Sequence, residues 1–76
     1  QIELYQAQIR TLQTMTAQYL QLVEAEQELF VNGESSIFLV NYRQTAYLLA
    51  KSKLIDVYAK YGQAVLSLRY VLGDLG

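Results

Sequence analysis

The side chains that could do chemistry in this chain are three glutamates and two serines near its middle. Histidine and cysteine are both absent, which removes the usual general base near neutral pH, the thiol nucleophile and the commonest metal ligands. Glu24, Glu26 and Glu28 lie two residues apart, so on a helix only Glu24 and Glu28 share a face and the three cannot converge. We therefore expect no catalytic residue, no cofactor, no metal site and no enzyme activity. The glutamates are expected to form a solvated face or to contact Lys and Arg of the second helix.

The two serines, Ser35 and Ser36, follow an Asn32-Gly33 pair. No base is available to activate either hydroxyl, and the segment lacks the lysine and the glycine spacing of a phosphate loop. Capping explains them better, because an Asn-Gly pair tolerates the left-handed backbone that ends a helix and a serine can cap the next helix. The segment therefore predicts a tight reversal between two helices.

Apolar residues recur at alternating steps of three and four on both sides of this reversal, and proline is absent, which is typical of heptad helices. The first line is Ile2, Tyr5, Ile9, Leu12, Thr16, Tyr19, Val23, Glu26 and Phe30. The second line is Ile37, Val40, Gln44, Tyr47, Lys51, Leu54, Tyr58, Tyr61, Val65, Leu68 and Leu72. The pattern predicts a first helix over about 1–31, a turn at 32–36 and a second helix over about 37–72.

A second apolar line flanks each of these, so each helix offers a wider apolar face than a two-stranded coiled coil needs. The flanking lines are Leu4, Met15, Leu22, Ala25 and Leu29 in the first helix, and Leu39, Ala46, Ala50, Val57 and Ala64 in the second. The charged residues of the first helix are mostly acidic and those of the second mostly basic, which favours antiparallel pairing. We predict an all-α fold, a long antiparallel, coiled-coil-like hairpin in which residues 1–76 form a single domain.

A chain of 76 residues with 53% hydrophobic residues has more apolar surface than a two-helix hairpin can bury. We expect it to associate with itself into a helical bundle, as a homo-oligomer. The net charge of −1 provides no general attraction for nucleic acid, and no apolar run approaches the length of a membrane-spanning helix. Because the sequence opens in the middle of a helical pattern at Gln1, we expect it to be a fragment of a longer chain.

The order of residue types around the turn resembles the TolC family of outer-membrane efflux proteins. The matching elements are Phe30-x-x-Gly33-x-x-Ser36-Ile37-Phe38-x-Val40, preceded by Glu26-x-Glu28-Leu29 and followed by Leu48-Leu49-Ala50, Leu54-Ile55-Asp56-x-Tyr58-Ala59-Lys60-Tyr61 and Tyr70-Val71-Leu72-Gly73. Each element alone is degenerate, and the specificity comes from their order and spacing. The resemblance covers nearly all of this chain but only a small part of a full family member.

The resemblance implies a trimeric duct of a Gram-negative cell envelope, with a β-barrel in the outer membrane and a long α-helical barrel across the periplasm. This segment would be periplasmic and outside the membrane, as one tip hairpin of the α-helical barrel. Its turn would dock a periplasmic adaptor (membrane fusion) protein and, through it, an inner-membrane transporter, in tripartite drug efflux or type I secretion. The residues expected at the docking tip are Phe30, Asn32, Gly33, Glu34, Ser35, Ser36, Ile37 and Val40. Phe30, Gly33, Ser36, Ile37 and Val40 fall on the motif, whereas Asn32, Glu34 and Ser35, together with Asn41, are expected to be exposed there.

Some family members place acidic residues on the first turns of the second helix, where they line a closed aperture. This chain has Leu39 and Tyr42 in the corresponding stretch, so a carboxylate gate is not supported. Any constriction would be formed by Asn41, Tyr42 or Arg43. The alternative function is a stand-alone structural hairpin that forms a four-helix bundle for protein interaction.

Overall fold

The computed structural model describes residues 2–73, which form two long helices joined by a short turn. Helix α1 spans Ile2–Val31 and helix α2 spans Ile37–Val71. The described part is 63 Å long and only 16 × 15 Å across, and it contains no strand. The predicted all-α class and the helical hairpin are therefore confirmed. Gln1, where the first predicted helix begins, lies outside the described residues.

The two helices run antiparallel, since residues early in α1 contact residues late in α2. The side-chain amides of Gln6 and Gln13 donate hydrogen bonds to the hydroxyls of Tyr61 (3.3 Å) and Tyr58 (2.5 Å). These bonds lie at the surface, where each contributes little because water competes for both partners. They show which residues of the two helices lie opposite each other.

The apolar line predicted for α1 is the face that meets α2. Every residue of that line except Phe30 is buried or half-buried, and every other residue of α1 is exposed. The flanking line of α1 is exposed, with Leu4, Met15, Leu22 and Leu29 facing solvent. Helix α2 therefore covers the first apolar line of α1 and leaves the flanking apolar line of α1 without a neighbour in the hairpin.

In α2 the structure corrects the predicted line. Lys51 and Tyr58 are exposed, as are Ile37, Leu68 and Leu72 near the ends of the line, and Ala50 and Val57 of the flanking line are buried instead. The small Ala50 and Val57 side chains let the two backbones approach, whereas a buried Lys51 ammonium would lose its hydration. The contact face of α2 is thus rotated toward its small residues.

The core of the hairpin is thin. One cluster joins Ile9 and Leu12 of α1 to Val57 of α2, with Tyr5, Leu54 and Tyr61 packed against it. No large side chain of residues 2–73 is fully buried, because each helix has only one neighbour. Many large apolar side chains of α2 therefore remain exposed, Leu48, Leu49 and Leu66 among them.

Candidate functional site: the hairpin tip

The turn that joins the helices is a glycine-ended helix terminus. Gly33 has a φ of +79°, and its N–H donates to the carbonyl of Phe30 (3.0 Å), while the N–H of Glu34 donates to the carbonyl of Leu29 (2.8 Å). This pair of bonds satisfies carbonyls that the end of a helix otherwise leaves unpaired, and it requires the left-handed backbone that glycine adopts without strain. The Asn-Gly pair thus ends α1 as the sequence predicts.

Ser36 begins the second helix. Its backbone is extended (φ −131°, ψ 158°), and its hydroxyl oxygen accepts a hydrogen bond from the N–H of Leu39 at 3.3 Å. The N–H of Val40 donates to the Ser36 carbonyl at 3.1 Å. Ser36 is therefore the N-cap of α2, and its hydroxyl satisfies one of the free N–H groups of the first helical turn.

A buried carboxylate lies directly beneath the turn. Glu26 of α1 is only 7% exposed, and its two carboxylate oxygens have different partners. The Ser35 hydroxyl donates to one oxygen at 2.5 Å, and the Arg43 guanidinium donates to the other at 3.2 Å. Glu26 thereby connects α1, the turn and α2, and we call these three residues the tip network.

The hydrogen bond from Ser35 is the largest cause that lowers the pKa of the Glu26 carboxyl below its ordinary value. The hydrogen bond from Arg43 and the positive charge of Arg43 act in the same direction, and burial opposes them. Hydrogen bonds to the charged form of a carboxyl favour that form. Glu26 is consequently ionised at neutral pH, as its contact with Arg43 requires.

Apolar side chains surround the turn on the outside. We call residues 30–43 the tip. Val31 and Phe38 are each 83% exposed, and Phe30, Ile37 and Leu39 are also exposed. Exposed large apolar side chains gathered at one place are typical of a surface that contacts another molecule. The tip thus combines a turn that is hydrogen-bonded to Glu26 on its inner side with an apolar exterior.

Some of the predicted tip residues are exposed, and others are buried or half-buried within the hairpin. Phe30, Asn32, Gly33, Glu34 and Ile37 are exposed. Ser35 and Ser36 are half-buried, and Val40 is 5% exposed in the helix interface. The expectation that Ser35 is exposed is wrong, because its hydroxyl donates inward to Glu26.

The three candidate aperture residues also differ in position. Asn41 and Tyr42 are exposed, whereas Arg43 is half-buried and paired with Glu26. The Arg43 guanidinium lies 6.0 Å from the centre of the Tyr42 ring, a distance at which the cation and the ring attract each other. Asn41 and Tyr42 are free to face a neighbour, while Arg43 is already held within the hairpin.

The sequence left open a contact of the three glutamates with Lys and Arg of the second helix, which Glu26 makes with Arg43, but it did not single out Glu26 or predict its burial and its bond with Ser35. A signal was present, because Glu26 is the only acidic residue on an otherwise mostly apolar line, and a carboxylate in such a position needs partners. Spacing along the chain could not identify those partners, since Ser35 and Arg43 lie on the turn and on the opposite helix. Val31 and Phe38 were likewise not singled out as surface residues.

The tip presents few side chains that could hold a ligand ion, and most of its exposed surface is apolar. Within residues 2–73 no group of three or more acidic, histidine or cysteine side chains is placed to hold a metal ion. Neither α1 nor α2, as described, is long and apolar enough to cross a membrane. The chemistry that the tip offers is an apolar rim, exposed amide and carboxylate groups at Asn32 and Glu34, and a fixed backbone turn.

Comparison of the chain with protein-family models, with curated proteins and with solved structures gives no match.

Proposed function

We propose that this chain is the periplasmic tip hairpin of a TolC-like outer-membrane efflux duct, and that its tip docks a periplasmic adaptor protein. It acts as a passive component of a tripartite efflux or type I secretion system, without catalysis. In the assembled duct the hairpin belongs to a homotrimer and packs beside other hairpins in an α-helical barrel. An inner-membrane transporter is then an indirect partner, reached through the adaptor.

The observation that carries this proposal is the ordered motif at the turn together with the exposed apolar rim around it. Gly33 and Ser36, two motif positions, set the backbone of the turn. Phe38, a third motif position, is 83% exposed and has no role inside the hairpin that would explain an aromatic residue. Aromatic residues in an exposed apolar patch are the usual anchors of protein interfaces.

Binding of the hairpin to an adaptor protein from the same genome tests the proposal. We expect binding by the intact hairpin and its loss in Gly33→Val, because a β-branched residue is strained at a φ of +79° and displaces the turn. Gly73→Val is the matched control, since Gly73 also has a positive φ (+71°) but follows the end of α2 that is far from the turn. If the intact hairpin does not bind the adaptor, the docking proposal fails.

The aperture hypothesis has a separate test in a full-length duct that contains this hairpin. Tyr42 is 66% exposed, so Tyr42→Ala removes a large ring from the surface without opening the helix interface. We expect conductance and export to change if the ring lines a constriction. Unchanged conductance and export would exclude Tyr42 from it.

A second candidate function is a self-contained hairpin module that associates through its helices into a four-helix assembly. The observation that favours it is the apolar surface along the shaft of α2, where Leu48, Leu49 and Ile55 are about 60% exposed or more. The reading frame of the parent gene distinguishes the candidates. A duct subunit should encode a second related hairpin, and a self-contained module should not.

A further inference from the structure

Six exposed residues form a stripe along the side of α2 that points away from α1. The outer stripe consists of Leu48, Ser52, Ile55, Ala59, Gly62 and Leu66, all of them exposed. By helical periodicity it lies roughly opposite the buried Ala50 and Val57. Its three large members, Leu48, Ile55 and Leu66, are 59, 60 and 67% exposed. The stripe is therefore an apolar helix face with no partner in the hairpin.

Gly62 has no explanation within the hairpin. Its φ does not lie in the left-handed region, and a Cβ built on it would meet no atom within 4 Å. Glycine in the middle of a helix is unfavourable, since the unfolded chain is more flexible there. A second helix that approaches closely at Gly62 would account for it, because a missing side chain permits close contact of two backbones.

The order of side-chain sizes in the outer stripe suits a second copy of the same helix. The steps along the stripe are four, three, four, three and four residues, a pattern that is the same in both directions. When two copies run antiparallel, Leu48 faces Leu66 of the second copy, Ser52 faces its Gly62, and Ile55 faces its Ala59. Such mutual contacts are the property of an interface with a twofold axis.

We propose that two copies of this chain pair antiparallel through their outer stripes, which gives a layer of four helices in the order α1, α2, α2 and α1. The stripe is about 27 Å long at the rise of an α-helix and roughly 10 Å wide, which offers on the order of 300 Å² per copy. A standard stable interface covers about 800 Å² per partner. The pairing is therefore weak and depends on concentration. It rests on the second candidate function, the four-helix assembly, and specifies its interface, whereas adaptor docking concerns the separate surface at the tip.

Cysteine crosslinking tests the direction of pairing. Because the chain has no cysteine of its own, only the introduced thiols can form disulfides. We expect a mixture of Leu48→Cys and Leu66→Cys chains to form disulfide-linked dimers under mild oxidation. Each variant alone should not, because its two thiols would be about 27 Å apart. Thr14→Cys, at an exposed position of α1, measures random collision. Crosslinking of Leu48→Cys with itself, above that background, would show parallel pairing and overturn the proposal.

Substitution at Gly62 tests the closeness of the contact. Gly62→Ala should raise the melting temperature of the monomer at low concentration, since alanine is the better helix former, and should weaken the dimer in sedimentation equilibrium. Gly62→Leu should raise the dissociation constant roughly tenfold or more by forcing the helices apart. Circular dichroism checks that each variant remains helical. A wild-type chain that stays monomeric up to high concentration overturns the pairing, as does a Gly62→Leu chain that dimerises as well as wild type.

Discussion

Both helices of this molecule end at a glycine of the same conformation, yet the two ends differ in what surrounds them. Gly33 and Gly73 have φ values of +79° and +71°, and the N–H of each donates to the carbonyl three residues earlier, at 3.0 and 3.1 Å. The Gly33 end is followed by an N-cap and lies above the buried carboxylate of Glu26. Around Gly73, the side chains of Val71 and Leu72 are largely exposed.

One local backbone motif thus serves two purposes in this molecule. At Gly73 it ends a helix. At Gly33 it sets the position of the second helix relative to the first, because the tip network of Glu26, Ser35 and Arg43 connects both helices to the turn. Strain at Gly33 should therefore reach the whole hairpin, whereas strain at Gly73 should remain in the last turn of α2.

The largest difference is expected between Gly33→Val and Gly73→Val. A non-glycine residue held in the left-handed region costs about 1–3 kcal/mol. We expect Gly33→Val to lose that amount of unfolding free energy in urea denaturation, and Gly73→Val to lose less than about 0.5 kcal/mol, because a terminal turn can unravel locally. Gly33→Asn should recover part of the loss, since asparagine tolerates this backbone. Equal losses at the two glycines would show that the tip is no better coupled to the fold than the other end.

Removal of the Glu26 charge should have the next largest effect. Glu26→Gln should lower the melting temperature at neutral pH, because Arg43 loses its charged partner while Ser35 keeps an acceptor. The pKa of Glu26 is lowered in the folded state, so its contribution to stability is complete above the ordinary pKa of a glutamate and is lost as the pH falls through the lowered value.

The difference in melting temperature between wild type and Glu26→Gln should accordingly shrink as the pH falls into the acid range. Glu24→Gln provides the control, since Glu24 is exposed two residues away and should change stability little at any pH. A difference that stays constant through the acid range would show that the charge of Glu26 is not what holds the tip.

The sequence predicts α1 better than α2 for a physical reason. The face of α1 that meets α2 is the apolar line with three-four spacing, and Phe30 at the tip is its one exposed member. In α2, apolar residues lie on more than one side, so the same spacing fits two lines. One line passes through Lys51 and Tyr58, and the other passes one residue earlier, through Ala50 and Val57. Periodicity alone cannot choose between them, because the choice depends on how closely α1 approaches.

The parts of the candidate site that depend on residues close together in sequence could be predicted. Gly33 and Ser36 act on backbone groups within five residues of themselves, and their types predict a helix end and a helix cap. The partners of Glu26 are nine and seventeen residues away, and they meet only when the hairpin closes. Local patterns therefore predict the turn, and only the packed structure shows the buried carboxylate that supports it.

The cap at Ser36 should contribute less than the turn itself. Replacement of an N-cap serine by alanine costs about 1 kcal/mol, and we expect that loss for Ser36→Ala in urea denaturation. Ser67→Ala is the matched control at an exposed position inside α2, where alanine is the better helix former and a slight gain is expected. A loss at Ser67 as large as that at Ser36 would exclude a capping role.

The smallest effect on stability is expected for exposed aromatic residues. Their substitution should distinguish the two ends of the hairpin by adaptor binding alone. Phe38 at the tip and Tyr70 at the other end are 83 and 71% exposed, so Phe38→Ser and Tyr70→Ser should each change the unfolding free energy by less than about 0.5 kcal/mol. If the tip docks a partner, Phe38→Ser should nevertheless weaken adaptor binding markedly, while Tyr70→Ser leaves it unchanged, because only the ring at the tip lies in the proposed interface. Equal binding by both variants would mean that the apolar rim is not the docking surface. A large loss of stability in Phe38→Ser would mean that the ring packs within the hairpin, and any loss of binding would then follow from the fold.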